Sequence, residues 1–117
     1  MAKKIRVWDG TTWQPVGISA ALPSGFNVII AGNTTLEAGK RYFTDTSAAR
    51  TLTLPSSASA GDTIEIYDST GTAGTNNITV ARNGGKINGL TEDAIIDVDQ
   101  SISILVYTGA TLGWRFE

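Results

Sequence analysis

The 117-residue sequence contains no cysteine and no histidine. Their absence excludes disulfide cross-links, thiol and imidazole nucleophiles, and the tetrahedral zinc sites that these side chains form. Charged residues make up 17% of the chain, below the roughly 25% of ordinary soluble domains. Nine Lys and Arg against eleven Asp and Glu give a net charge of -2. The chain therefore has no excess of positive charge that would attract nucleic acid. This composition, rich in Thr and Gly, indicates a soluble all-β domain without a recognisable catalytic apparatus.

Long apolar segments are also missing. No stretch approaches the roughly 20 apolar residues of a membrane span. The longest such run, residues 104–107, has only the length of a strand. Residues 1–9 are basic but lack the apolar core of a signal peptide. We therefore expect a protein that is made and kept in a cytoplasm, unless a larger assembly carries it outside.

The N-terminal segment differs from the rest of the chain. Residues 5–8 alternate like a strand, Asp9-Gly10 predicts a two-residue turn, and residues 11–14 are the expected return strand. Residues 15–25, with two prolines and two glycines, indicate an extended linker. Because an isolated hairpin is marginally stable in water, Trp8 and Trp13 need a surface to pack against. That surface is either the protein's own domain or a neighbouring subunit or larger assembly.

From residue 26 onward, short apolar-alternating segments are separated by turn signals, as in a β-sandwich or barrel. Alternation in residues 63–68 predicts Ile64 and Ile66 inside. Asn83-Gly84 predicts a type I′ turn, and residues 94–99 and 101–107 are predicted to form a hairpin around residues 99–100. The other predicted strands are residues 26–30, 41–44, 51–54, 77–82 and 114–117.

No window has the 3.6-residue apolar period of a helix. The sequence thus predicts one compact antiparallel β-sandwich or jelly-roll-like domain, residues 26–117, preceded by an arm, residues 1–25.

Acidic residues are the first candidates for site chemistry. Asp97 and Asp99 are two apart on a predicted strand, a spacing that suits Ca²⁺, but the EF-hand pattern is absent and a solvated strand face explains them as well. Glycoside hydrolysis needs paired carboxylates, yet Glu65 and Asp68 suit a solubilising role better. A Ser-His-Asp triad is impossible without histidine. We therefore predict no catalytic residue, no metal and no cofactor, and we interpret Trp114 as a core or interface residue rather than a sugar-binding platform.

Several short segments resemble a family of bacteriophage virion structural proteins. The opening Ile-Arg-Val-Trp-Asp-Gly-Thr-Thr-Trp of residues 5–13 is similar to the start of phage fibre and decoration proteins. The other segments that carry the resemblance are residues 42–46, 51–55, 60–68, 76–80, 83–84, 87–89, 105–107 and 113–115. The resemblance implies a structural role rather than an enzyme, an all-β fold and a homotrimer.

Two placements in a virion are compatible with that family. One is a capsid decoration or cement protein, and the other is a tail-fibre, spike or head-fibre module that binds a host-surface glycan. The sequence lacks the heptads or repeats of a fibre shaft, which favours decoration. The expected partners are two further copies and the major capsid protein or another virion protein, without nucleic acid or membrane, in a particle assembled in the host cytoplasm. The arm is expected to bind the partner through its apolar residues, Ile5, Val7, Trp8, Trp13 and Val16.

Overall fold

The structure, a computed structural model, describes residues 5–8, 13–16 and 26–117, the first two ranges by their backbone. Strands β1 (Ile5–Trp8) and β2 (Trp13–Val16) pair antiparallel, with Trp8 opposite Trp13. The predicted pairing of these two segments is therefore present, while the turn predicted at residues 9–10 lies outside the described residues. The observed register sets two aromatic residues at opposite positions, a type of cross-strand pair that stabilises hairpins.

Residues 26–117 form two β-sheets and contain no α-helix, so the all-β prediction is confirmed for the described chain. A five-stranded sheet has the order β11-β10-β7-β5-β3, and a four-stranded sheet has the order β4-β6-β8-β9. The strands are β3 (Asn27–Ile30), β4 (Thr34–Thr35), β5 (Arg41–Thr44), β6 (Arg50–Thr53), β7 (Thr63–Asp68), β8 (Ile78–Ala81), β9 (Ala94–Ile96), β10 (Ile102–Tyr107) and β11 (Trp114–Phe116).

The direction of pairing differs from the prediction. From β3 to β8 the chain changes sheet at every strand, and the pairs β3–β5, β5–β7, β4–β6 and β6–β8 are all parallel. Only β8–β9, β7–β10 and β10–β11 are antiparallel in these two sheets. The predicted antiparallel, jelly-roll-like arrangement is therefore wrong for β3 to β8, which wind like a short two-sheet β-solenoid. Each loop crosses to the opposite sheet instead of turning back beside its own strand.

The predicted hairpin of residues 94–99 and 101–107 is also wrong. β9 pairs with β8 in one sheet, whereas β10 pairs with β7 in the other. The connection between them is fixed at the end of β7, because Asp68 accepts a hydrogen bond from the Gln100 amide and donates its own amide to the Ser101 carbonyl. By contrast, the Asn83-Gly84 turn is confirmed, with φ angles of 51° and 83° that suit type I′.

One core lies between the two sheets and receives side chains from both. Ile64 and Ile66 are buried in it, as predicted. Trp114 is 1% exposed and packs edge-on against Tyr107 with ring centroids 5.5 Å apart, so it is a core residue. The buried apolar set is Ile30, Leu36, Tyr42, Leu52, Leu54, Ile64, Ile66, Ile78, Val80, Ile87, Ile96, Leu105 and Trp114.

Candidate interaction surface

The outer face of the five-stranded sheet carries a continuous row of apolar side chains. Strand register aligns Ile29 with Phe43, Phe43 with Tyr67, and Tyr67 with Ile102. We call these four residues the outer-face row. Phe43 and Tyr67 are half-buried with ring centroids 4.9 Å apart, while Ile29 and Ile102 are 84% and 60% exposed. A soluble sheet normally presents polar residues on its solvent face, so this row is the most conspicuous apolar surface on the sheet.

Beside the outer-face row, polar groups on the same face bind one another. The Arg41 guanidinium lies 3.5 Å from Glu65 and 5.7 Å from the centroid of the Tyr67 ring. The Tyr67 hydroxyl donates to the other Glu65 oxygen at 3.2 Å. Burial raises the pKa of the Tyr67 phenol, and the Glu65 charge raises it further. Arg41 and Glu65 are thus paired within the subunit, and the apolar row beside them is open to contact with another surface.

Asp68, at the end of β7, lies in the interior, so the solubilising role expected for it is wrong. It is 6% exposed, and its two oxygens accept hydrogen bonds from the Thr46 hydroxyl and from the amides of Gly71, Ala73 and Gln100. Burial by itself raises the pKa of Asp68, but the Thr46 hydrogen bond and the three amide bonds outweigh it and lower the pKa from 3.8 to about 2. The carboxylate thus ties two loops to the sheet.

The acidic pair Asp97 and Asp99 lies in the connection after β9, which ends at Ile96, and so not on a strand as predicted. Both residues are exposed, and Asp99 accepts a hydrogen bond from the Gly74 amide at 2.8 Å. Within the described ranges no three acidic side chains come together as a metal site would require. Asp97 instead lines a small cavity between the sheets.

The predicted binding residues of the arm, Ile5, Val7, Trp8, Trp13 and Val16, lie in β1 and β2. Their backbone pairing is described, but their side chains lie outside the described part of the chain. Sequence reasoning did not find the outer-face row. Alternation in residues 41–44 was a usable signal, because Tyr42 on one face implies Phe43 on the other.

No protein-family model matches this sequence, and no curated protein matches it either. None of the described residues belongs to a helix with the length and apolarity needed to cross a membrane.

Proposed function

We propose that this protein is a structural component of a bacteriophage particle, and specifically a homotrimeric capsid decoration or cement protein. The resemblance of its short motifs to phage virion proteins supports the family. The observation that carries the structural role is the outer-face row, which leaves Ile29 and Ile102 largely exposed to water beside the Arg41–Glu65 ion pair. Exposed apolar rows of this kind mark protein contacts.

The free energy gained by burying the two exposed isoleucines is sufficient for a subunit contact. Burying an exposed Ile side chain contributes about 1.5–3 kcal/mol. Because Ile29 and Ile102 are 84% and 60% exposed, their burial together contributes about 2–4 kcal/mol for each contact, before the aromatic pair is added. A closed ring repeats the same contact at every interface, which suits a small domain with a modest core.

The proposed mechanism is mechanical. The arm, through Ile5, Val7, Trp8, Trp13 and Val16, attaches the trimer to the major capsid protein or another virion protein. Three arms on one trimer bind with avidity, because the first attachment raises the effective concentration of the other two. The bound trimer then connects neighbouring shell subunits and resists the outward pressure of packaged DNA.

The first test is the mass of the purified protein by multi-angle light scattering. We expect a trimer, and we expect Ile29→Asp to shift it to monomer because a carboxylate cannot be buried unpaired at the contact. Leu90→Asp is the matched control, since Leu90 is 57% exposed but lies outside the outer-face row. A wild-type monomer, or an Ile29→Asp trimer, contradicts the proposed contact.

The second test is co-sedimentation with phage shells that lack their decoration protein. The wild-type protein is expected to sediment with the shells, and the Trp8→Ala/Trp13→Ala variant to remain in solution while still folding. Binding to host-surface glycans without binding to shells contradicts decoration and supports the fibre alternative.

A further inference from the structure

A largely apolar cavity lies between the two sheets, at the edge where β9 and β11 are the last strands. Its wall includes Ile96, which is buried, and Phe116, which is half-buried. Val98 lies at its margin and is 63% exposed. The volume of about 300 Å³ is at the lower end of the range for small-molecule sites. A cavity of this size and lining suits an apolar side chain from another protein surface.

The opposite edge of the two sheets, formed by β3 and β4, carries an apolar projection. Ile29 on β3 begins the outer-face row and is 84% exposed, the largest exposed fraction among the large apolar residues of the described chain. An Ile side chain has no polar atom, so its transfer to an apolar cavity leaves no hydrogen bond unmade. The molecule thus has a projection at one edge and a receptor at the other.

Both features lie at the same end of the strands. Ile30, at the end of β3, lies beside Thr44, and Thr44 lies beside Asp68. The Asp68 amide donates to the Ser101 carbonyl, which extends this row to the connection between β9 and β10. The cavity margin at Val98 belongs to the same connection. Because projection and receptor are level, a contact between them repeats about an axis along the strands and closes into a ring, whereas an offset would produce an open helix.

The two edges also carry opposite charges. Asp97 lines the cavity, is exposed, and forms no salt bridge with a described residue. Near the end of β3, Arg50 donates to the Asp45 carbonyl at 2.7 Å, and the Asp45 amide donates to the Ile30 carbonyl at 2.9 Å. Arg50 likewise has no salt-bridge partner in residues 26–117. A head-to-tail contact brings this cation toward that anion, and such complementarity fixes the orientation of a contact.

We propose that the contact of the trimer is head-to-tail, with Ile29 of one copy in the cavity of the next and Arg50 facing Asp97. A closed ring fills every cavity and covers every β3 edge, whereas a pair of copies leaves one of each open. This inference rests on the proposed function for the trimer, and it identifies the surface that the outer-face row meets. The arm takes no part in the contact and remains available for the shell.

Because the chain has no cysteine, introduced cysteines report the contact directly. Ala31→Cys lies just beyond β3 and Val98→Cys at the cavity margin, and both positions are exposed. The five-stranded sheet spans four strand spacings, about 19 Å, so a bismaleimide of about 10 Å cannot join its two edges within one chain. We expect covalent trimers on a denaturing gel, in about tenfold excess over Ala31→Cys/Ser57→Cys, because docking raises the effective thiol concentration. Ser57 is exposed and lies at the opposite end of the strands.

Further variants of the Ala31→Cys/Val98→Cys protein test the named contacts. Ile29→Ser is expected to reduce the covalent trimer to the control level. Asp97→Arg is expected to reduce it about tenfold because two cations then meet, and the addition of Arg50→Glu is expected to restore it, as a paired charge reversal does. Glu92→Arg is the matched control, since Glu92 is an exposed acid that precedes β9 and lies far from the cavity end; its yield is expected to stay unchanged.

The outcomes separate this docking from the proposed function. A trimer by light scattering whose Ala31→Cys/Val98→Cys yield equals that of the Ser57→Cys control overturns the docking and leaves the trimer intact. A monomer by light scattering contradicts both. Cross-linked products that extend beyond the trimer indicate an open chain of copies and overturn the ring. Covalent trimers in a protein that does not bind shells support the docking and refute decoration.

Discussion

Replacing Asp68 by Asn tests whether one buried carboxylate joins the loops to the sheet. The substitution keeps the size and one acceptor oxygen, while the other oxygen becomes an NH₂ group. In one orientation the NH₂ group faces the amides of Ala73 and Gln100, and in the other it faces the Gly71 amide and the Thr46 hydroxyl, which can accept a hydrogen bond. In either orientation at least one amide loses its acceptor in a largely buried site.

The magnitude follows from these contacts. A buried donor without a partner costs about 1–3 kcal/mol. The pKa gives an independent figure, since a shift from 3.8 to about 2 corresponds to about 2 kcal/mol of preference for the ionised form. We therefore expect Asp68→Asn to reduce the free energy of unfolding by about 2 kcal/mol, a substantial share of the 5–15 kcal/mol of a typical domain.

Urea unfolding followed by circular dichroism measures this loss. Asp97→Asn is the matched control, because Asp97 is exposed and accepts no hydrogen bond from a described residue; we expect a change within about 0.5 kcal/mol. The reasoning is refuted if the two variants lose the same small amount, since the four hydrogen bonds to Asp68 would then contribute little to stability.

Further consequences concern pH and backbone conformation. Because folding lowers the pKa of Asp68 from 3.8 to about 2, its contribution is complete above about pH 5 and is lost as pH falls toward 2; urea unfolding at pH 6, 4 and 3 should show this loss, and a wild-type profile parallel to that of Asp68→Asn contradicts it. Gly113 has a φ of 71°, and a Cβ there overlaps the Lys86 carbonyl. Gly113→Ala should therefore lower thermal stability well beyond Gly39→Ala, which shares a positive φ but has open space. Trp114→Ala should destabilise the domain by about 3–5 kcal/mol in urea, because it removes a large core side chain; a loss near that of an exposed substitution contradicts its core position.

Alternation and turn chemistry made much of this fold predictable. Residues 63–68 repeat with period two, so Ile64 and Ile66 were expected inside, and they are. Asn83-Gly84 predicted its turn because few other pairs tolerate two successive positive φ angles. These signals are local, and they concern which face a residue belongs to or where the chain reverses.

Pairing direction and the buried polar cluster were not predictable in the same way. Asn27 lies beside Arg41 and Arg41 beside Glu65, so successive coils are offset by 14 and then 24 residues. Because the coils differ in length, the sequence contains no repeat of fixed period, although the chain winds like a solenoid. Asp68 looked like a surface acid because its partners Thr46, Ala73 and Gln100 are 5–32 residues away. A carboxylate buried by distant loops has no signature in its own strand.

The same winding explains why assembly is expected at one end of the molecule. A solenoid leaves its first coil uncovered, and terminal coils need a cap. At the far end the antiparallel strands β9, β10 and β11 follow the last coil. At the near end β3 and β4 are both edge strands, Ile29 is 84% exposed, and the buried Asn27 side-chain oxygen has no partner among the described residues. Exposed edges of this kind promote pairing with another chain, and the arm begins at the same edge. A neighbouring copy that covers the first coil would therefore complete the fold and position the arm in one step.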